Sequence, residues 1–413
     1  MTVTDDRQEL LSALGRHWNP TAATLLAAAG RGVEQSSRGA EVIAEDGTRG
    51  VDLAGSYGVF LVGHGNERVR CAARDALLDA PAMPSGALHP ATAQLFAALA
   101  EVLPPTLTRY ALGCSGAEIA EIALRAVHLA RPDRRRILVA EGGYHGKTLG
   151  AMTLLGQGNH RAPFEPLGGD LVKVRYGDAE AVREALTGGD VAAVFLEPVL
   201  GGAHLTVPPP GYLAAVARAC MQTGTLLVAD EIQTGFGRTG RMFASEHDGV
   251  VADIMLLSKS LTGGFMPIAV CALSEAVLDD ARAHPDWDPE ILAGSCRSAV
   301  AVAAAHATIR EVRERDLAER AASVGSVLTG GLAEAVRRHP KHLLDAPGIG
   351  LMAGLRTRNP AVETLISIGM AQRGIHTGHS LNEDIDHPVL RFYPPLTSTS
   401  PRSSAFSPRS RRC

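Results

Sequence analysis

The chain has 413 residues, 46% of them hydrophobic, enough to bury a large core and to favour two or three subdomains over one. A net charge of −4 argues against a nucleic-acid protein, and no apolar run is long enough to span a bilayer. The opening MTVTDDRQELLSALG carries acids where a secretory signal would carry bases, so the expected location is cytoplasmic. The six cysteines, at 71, 114, 220, 271, 296 and 413, show no CxxC pair and no cluster at metal-ligand spacing, so reduced thiols and no metal site are expected. Low aromatic content (4%) and abundant alanine suit helix-rich α/β packing better than an all-β architecture.

Residues 1–60 read as an N-terminal arm that joins part of a smaller domain, 61–305 as a large domain, and 306–396 as a helix-rich C-terminal small domain. From about residue 110 to 275, apolar runs of strand length alternate with longer segments whose apolar positions recur every three or four residues. That alternation predicts βαβ units and a mostly parallel sheet. The segment 117–130 places Ile119, Ile122, Ala123, Ala126, Val127 and Ala130 on one stripe, as an amphipathic helix does. Strands are expected at 136–140, 191–196, 226–229, 254–257 and 268–273. Polar residues stand just beyond several of them: Tyr144 and His145, Glu197, Asp230, and Lys259. In open parallel sheets ligands lie outside the carboxyl ends of the strands, so these side chains can converge. The tail 397–413 repeats SPRS, lacks apolar periodicity and collects arginines, so it is expected to be disordered.

The most informative stretch is LLVADEIQTGFGRTG, residues 226–240, followed by DIMLLSKSLTGG, residues 253–264. Each of two apolar runs delivers one polar residue at its end, Asp230 and Lys259. Alone, Asp230 could merely cap the next segment, and most lysines are solvated. The glycine-rich turn after Asp230 and the S-L-T-G-G after Lys259 point instead to a site where backbone must come close to a ligand. Burial lowers a lysine pKa, and a neutral amine condenses with an aldehyde. A carboxylate placed to keep a pyridine nitrogen protonated complements such a lysine, and the pair matches pyridoxal 5'-phosphate. GCSGAE, residues 113–118, opens the helix at 117, where free N–H groups could receive a phosphate or where an ordinary cap could sit. Tyr144 and His145 lie in EGGYHGKTLGA, whose glycines would leave an aromatic face open for stacking on a flat cofactor.

Together these segments resemble the class III aminotransferases, the ornithine, acetylornithine and 4-aminobutyrate type, of the type I pyridoxal-phosphate transferase fold. The resemblance runs from DLAGSYGVFLVGHGNERV at 52–69 through LRFYPPL at 390–396, with DEIQTGFGRTG and SKSLTGG its most specific parts. Through YHGKTLGAMTLLG, RAPFEPL, DVAAVFLEPV, VPPPGYL and MPIAV it is nearest the putrescine and ω-aminotransferase branch. It implies an α/β fold with a mostly parallel sheet flanked by helices and a smaller α+β domain built from the two chain ends. It implies Lys259 as the cofactor-binding lysine, Asp230 as partner of the ring nitrogen, and Gln233 beside the ring hydroxyl. Ser115, Gly116 and Ala117 would cradle the phosphate, Tyr144 would stack on the ring, and His145 and Glu197 would sit beside and behind it. Tyr57 and Arg391 would line the substrate pocket, Arg391 receiving a carboxylate.

The implied reaction moves an amino group from a terminal amine to a keto acid such as 2-oxoglutarate or pyruvate, in a homodimer with shared sites. A racemase or decarboxylase on this fold would share every cofactor residue, and a cofactor-binding protein with little turnover is the reading from another class. Three departures from the family stand out. GSCRSAVAV at 294–302 replaces a segment whose threonine reaches the neighbouring subunit's phosphate. Gly202 occupies the place of a glutamate that can pair with the C-terminal arginine, so Arg391 is expected to lack that mask. After PPLT the family continues with an acidic helix, whereas this chain has the SPRS tail.

Overall fold

The computed structural model describes residues 7–30, 32–79, 82–83, 89–156, 161–168, 170–202, 204–380 and 386–398. Its centre is a seven-stranded sheet of β1 (Leu107–Gly113), β2 (Arg136–Ala140), β3 (Asp170–Val174), β4 (Val191–Leu196), β5 (Leu226–Asp230), β6 (Ile254–Leu257) and β7 (Ala269–Ser274), in spatial order β1-β7-β6-β5-β4-β2-β3. Strands β3, β2, β4, β5 and β6 pair in parallel, while β7 runs antiparallel to both β6 and β1. The mostly parallel sheet expected from the alternation is therefore present. The reversal at β7 has a local cause. Only a short 3₁₀ turn, Lys259–Thr262, separates it from β6, and a parallel return needs a full crossover, usually a helix.

Strands β4, β5, β6 and β7 are buried at every position, because helices cover both faces. Alternate residues divide between the two sides. Ile137, Val139, Phe195 and Val228 join the core under α1 (Gly116–Ala130), while Leu138, Val194 and Leu227 pack against the helices Ala179–Leu186 and Tyr212–Thr223. All six apolar residues assigned to the stripe of α1 are buried. Two strands of this sheet escaped the sequence reading, β1 and β3. Both lie at sheet edges, where exposed positions such as Thr108, Arg109 and Lys173 interrupt the apolar run.

Two smaller four-stranded sheets flank this one. Glu34–Arg38, Glu41–Ala44 and Arg49–Asp52 form a meander whose last strand pairs in parallel with Ile375–His376, so distant parts of the chain meet in one sheet. Leu343–Asp345, Gly348–Ile349, Met352–Thr357 and Val389–Phe392 form the other. Arg238, fully buried, ties the large sheet to the latter through hydrogen bonds to the carbonyls of Leu351 and Pro394, at 2.9 and 2.6 Å. Burial pushes its guanidinium down to about 10, against the pull of Tyr393.

Of the tail expected to be disordered, residues 399–413 lie outside the described residues. Thr397 and Ser398 are held, their carbonyls accepting from Arg320 at 3.4 and 2.8 Å. Cys114, Cys220, Cys271 and Cys296 are free thiols. Cys71 is disulfide-bonded and departs from the expectation of reduced thiols, since spacing along the chain does not show which sulfurs meet in space. Among the described residues no helix is long and apolar enough to cross a membrane, and no group of three potential ligands could hold a metal ion.

Candidate active site

The carboxyl ends of β1, β2, β4, β5 and β6 open onto one cavity of about 520 Å³, within the usual size for a small-molecule site. All the residues singled out from the sequence line it: Ser115, Gly116, Ala117, Tyr144, His145, Glu197, Asp230, Gln233, Lys259, Tyr57 and Arg391. Strand order explains the convergence. β4, β5 and β6 are adjacent and parallel, so Glu197, Asp230 and Lys259 leave the same edge of the sheet side by side.

Lys259 stands one residue past the end of β6, after Ser258, and holds φ at 28°, in the left-handed region that side chains rarely adopt. Burial holds its ammonium below the ordinary lysine value, against the opposing charges of Glu197 and Asp230. Asp230, 3% exposed, accepts from His145 Nδ1 at 2.7 Å through one oxygen and from the Ile232 N–H at 3.1 Å through the other. Burial alone would lower the His145 pKa, but the Asp230 hydrogen bond and charge, with Glu197, outweigh it and raise it.

Glu197 accepts the N–H groups of Tyr144 and Gly201, each at 3.0 Å. Burial, with the charge of Asp230, pushes its carboxyl from 4.5 up to about 7. Between these two values the folded chain retains a proton that the unfolded chain has lost. This contribution to stability is complete below 4.5 and disappears as pH rises through about 7. Glu197→Gln cannot ionise. Between about pH 5 and about pH 8 the Tm of cofactor-free Glu197→Gln should rise relative to wild type by on the order of 2 °C, measured by differential scanning calorimetry. Parallel curves would mean that Glu197 ionises as an ordinary carboxylate.

The turn before α1 brings a helix N-terminus to the cavity. Ser115 is its N-cap, in extended conformation, and its Oγ accepts the Glu118 N–H at 3.2 Å. The first N–H groups of the helix have no partner within it, and Gly116 and Ala117 stand at that end. Gly146, at φ 124°, is fixed by close approach, because a Cβ there would lie 2.5 Å from that of Ala117.

Gln233 donates to the Tyr57 carbonyl at 3.3 Å, while its buried Oε1 has no hydrogen-bond partner among the described residues. Gly201 is required beside it, since a Cβ at that position would stand 1.9 Å from the same Oε1. A buried acceptor without a donor is costly, and a ligand hydroxyl in the cavity would satisfy it.

The far wall carries Tyr57 and Arg391. Tyr57 adopts φ 56°, and its hydroxyl donates to the His379 carbonyl at 3.4 Å. The Arg391 guanidinium lies over the Tyr57 ring, 4.8 Å from the centroid. It also donates to the carbonyls of Gly202 and His379. The expectation that Arg391 lacks a mask is thus corrected in part. No carboxylate faces it from position 202, but the Gly202 backbone carbonyl takes one of its nitrogens, while its buried Nε has no partner.

Gly202, singled out for its missing glutamate, also lines the cavity, as do Lys147, Gly146, Ile232 and Ser258, which were not singled out from the sequence. Of these Lys147 adds a second cation, with its ammonium 5.8 Å from the centre of the Tyr144 ring. Its position two residues after His145 was the available signal.

The start of the altered segment 294–302 runs beside the turn before α1. Glu118 clasps it, one carboxylate oxygen accepting the Cys114 N–H at 2.7 Å and the other the Ser295 N–H at 2.8 Å. Ser298 is committed elsewhere, as N-cap of the helix Ala299–Glu314.

Comparison with known proteins decides the family. Residues 30–406 match the family described as "Aminotransferase class-III". The chain is a class-III aminotransferase. It is 36% identical over 365 residues to a putrescine aminotransferase from Pectobacterium atrosepticum, covering 87% of this chain and 77% of that one. A crystal structure of ornithine aminotransferase from Toxoplasma gondii matches with TM-score 0.84 at 25% identity, covering 96% and 91% of the two chains. An amine transaminase from an uncultivated Pseudomonas species, in its pyridoxal-phosphate-bound form, matches with TM-score 0.81 at 27% identity, covering 89% and 91%. The type I fold and the pyridoxal-phosphate cofactor follow for this aminotransferase. The donor set suits that cofactor. A deprotonatable lysine, a buried carboxylate, an unpartnered Gln233 oxygen and a helix N-terminus face one cavity, matching an aldehyde, a ring nitrogen, a ring hydroxyl and a phosphate.

Proposed function

We propose that this aminotransferase moves the amino group of a terminal amine, a diamine or ω-amino acid, to a keto acid such as 2-oxoglutarate or pyruvate. The observation that carries this reading is the cavity lining, where Arg391 and Lys147 add cations beside Lys259 and the glutamate place at 202 is a glycine. A keto acid brings one or two carboxylates to such a lining. The likeness to a putrescine aminotransferase supports a terminal amine as donor. Pyridoxal phosphate supplies an aldehyde and an electron-accepting ring.

The chain's residues do the rest. Lys259 Nζ, whose hold on its proton burial weakens, would bind the cofactor through that aldehyde and would carry a proton from the substrate carbon and back. Asp230 would keep the ring nitrogen protonated, and His145 fixes the orientation of Asp230. Ser115, Gly116 and Ala117 would hold the phosphate, Gln233 Oε1 would accept from the ring hydroxyl, and Tyr144 would pack on the ring. Glu197 anchors the Tyr144 and Gly201 backbone around the site. The active form is taken as a cytoplasmic homodimer with shared sites, as the family resemblance implies.

A panel of amine donors against 2-oxoglutarate and pyruvate, read as glutamate or alanine formed, tests the reading. Absence of turnover with every terminal amine would overturn it. Arg391→Ala should raise KM for 2-oxoglutarate by roughly 10- to 100-fold, the loss of a hydrogen bond between charged groups. The single-turnover rate with a diamine should change much less, because a diamine offers no carboxylate. Equal losses in both half-reactions of a folded variant would give Arg391 a structural role.

A further inference from the structure

The turn that carries Tyr57 winds against the preference of L side chains. Gly55, Ser56, Tyr57 and Gly58 follow one another at φ 53°, 48°, 56° and 104°, and two of the four are not glycine. Side chains adopt left-handed backbone where surrounding contacts hold them there. At the end of the turn, the carbonyls of Tyr57 and Gly58 accept from Gln233 Nε2 at 3.3 Å and from the Ser260 hydroxyl at 3.4 Å, so the segments after β5 and β6 brace it. Gly55 passes so close to Tyr393 that a Cβ there would stand 2.3 Å from the Tyr393 carbonyl oxygen. Before the turn stands Asp52, a carboxylate that does not line the cavity. Its Oδ1 accepts the N–H groups of Ala54 and Gly55, at 2.9 and 3.0 Å. Its Oδ2 pairs with His64 Nε2 at 2.8 Å, and the His64 ring stacks on Phe60 with centroids 3.8 Å apart. The His64 and Gly39 backbones exchange two hydrogen bonds of 2.8 Å, which fixes the histidine in turn.

We infer that Asp52 is a positioning residue for the substrate: by capping the first N–H groups of the left-handed turn it holds the Tyr57 ring against Arg391, and so sets how tightly the site grips a carboxylate. The carboxylate part rests on the reading of Arg391 as the carboxylate's partner; the hold on the turn does not.

The link from cap to guanidinium is short. The Tyr57 ring centre lies 4.8 Å from Arg391, and the Tyr57 hydroxyl donates to the His379 carbonyl at 3.4 Å. Without the cap, the Ala54 and Gly55 N–H groups turn to water and the turn relaxes toward the right-handed region. The ring then leaves the guanidinium. Arg391 must be ordered afresh by each ligand, at a cost in affinity. Lys259 and Asp230 stand at other strand ends and keep their places.

The test uses the holoenzyme and glutarate, a dicarboxylate with no keto group to react. Asp52→Ala should raise the Kd of glutarate, measured by calorimetry, roughly three- to tenfold, the scale of a lost cap or cation–π contact. Amide hydrogen exchange in the peptide 53–61 should quicken by a similar factor. Asp52→Glu, which carries its charge one methylene too far to meet both N–H groups, should behave alike and serves as the second variant should Asp52→Ala not fold. Asp52→Asn should match wild type, because its amide oxygen still caps the turn. Ser56→Gly added to Asp52→Ala should recover part of both losses, since glycine enters the left-handed region freely. The pH titration of the bound cofactor's absorbance, which reports the Lys259 amine, should be the same in all of them; a fold loosened as a whole would move it. Asp52→Asn as weak as Asp52→Ala, a shifted titration, or glutarate binding unchanged in Asp52→Ala where Arg391→Ala weakens it would each overturn the proposal. Arg391→Ala separates the two readings, because undiminished glutarate binding there would sink the carboxylate assignment while exchange in 53–61 still reports the hold of Asp52 on the turn.

Discussion

Lys259→Ala is expected to lower turnover by about 10⁴-fold, the upper end of what one positioned acid–base group contributes, while the fold stays intact. The chain has four lysines, and three of them, Lys147, Lys173 and Lys341, are exposed. Only Lys259 combines a place on the cavity wall with burial strong enough to hold its amine below the ordinary lysine value. Its neighbours reinforce the assignment, because the opposing charges of Glu197 and Asp230 moderate the shift rather than abolish it. The left-handed backbone at Lys259 belongs to the main chain and survives truncation, so the loss would report the amine. Borohydride reduction of the wild-type enzyme, followed by peptide mapping, should place the cofactor mass on Lys259. An added small primary amine should restore part of the activity of Lys259→Ala by supplying a base in the space the side chain leaves. A label on Lys147, Lys173 or Lys341, or a variant that keeps near-normal turnover, would sink the assignment.

The sequence was most legible where burial is complete. β4 and β6 begin and end where the apolar runs do, because a strand covered on both faces admits no polar residue until it leaves the sheet. For the same reason the polar residues that follow those runs, Glu197 after β4 and Ser258 with Lys259 after β6, mark the site. Edge strands obey a weaker rule, and β1, with Thr108 and Arg109 exposed, gave no continuous signal although it leads into the phosphate-side turn.

The least legible contacts were those made by backbone atoms. Nothing in the residue type at 202 or 379 announces that its carbonyl will take a nitrogen of Arg391, since every residue carries a carbonyl and only the folded path decides where it points. The glutamate missing at 202 was visible; its partial replacement by the glycine's own oxygen was not. The Glu118 clasp is similar. One carboxylate joins positions 114 and 295, a separation along the chain that only the sheet and its flanking helix bring together. Gln233 shows the opposite case, in which the family motif named the residue and the fold explained it by leaving Oε1 buried without a donor.

Asp230→Asn should bind the cofactor yet lose about 10²- to 10³-fold in turnover, the scale on which a single aimed electrostatic contact acts in a water-excluded site. Asparagine is close in shape, and its amide oxygen can still accept the Ile232 N–H that Asp230 accepts at 3.1 Å, so the end of β5 keeps its geometry. What disappears is the negative charge. The ring nitrogen then has no anion to hold its proton, and electron withdrawal from the substrate carbon weakens. His145 supplies a readout independent of turnover. Against the lowering effect of burial, the hydrogen bond and charge of Asp230 are the main influences holding its pKa up, with Glu197 a smaller one. In Asp230→Asn the imidazole should therefore titrate at lower pH than in wild type, seen by histidine NMR on cofactor-free protein. If Asp230 were only a turn cap, the variant would turn over nearly as fast as wild type whatever His145 does, because the cap hydrogen bond survives the substitution. A large loss of turnover together with a lowered His145 pKa would place the charge, and not the shape, of Asp230 at the centre of the site.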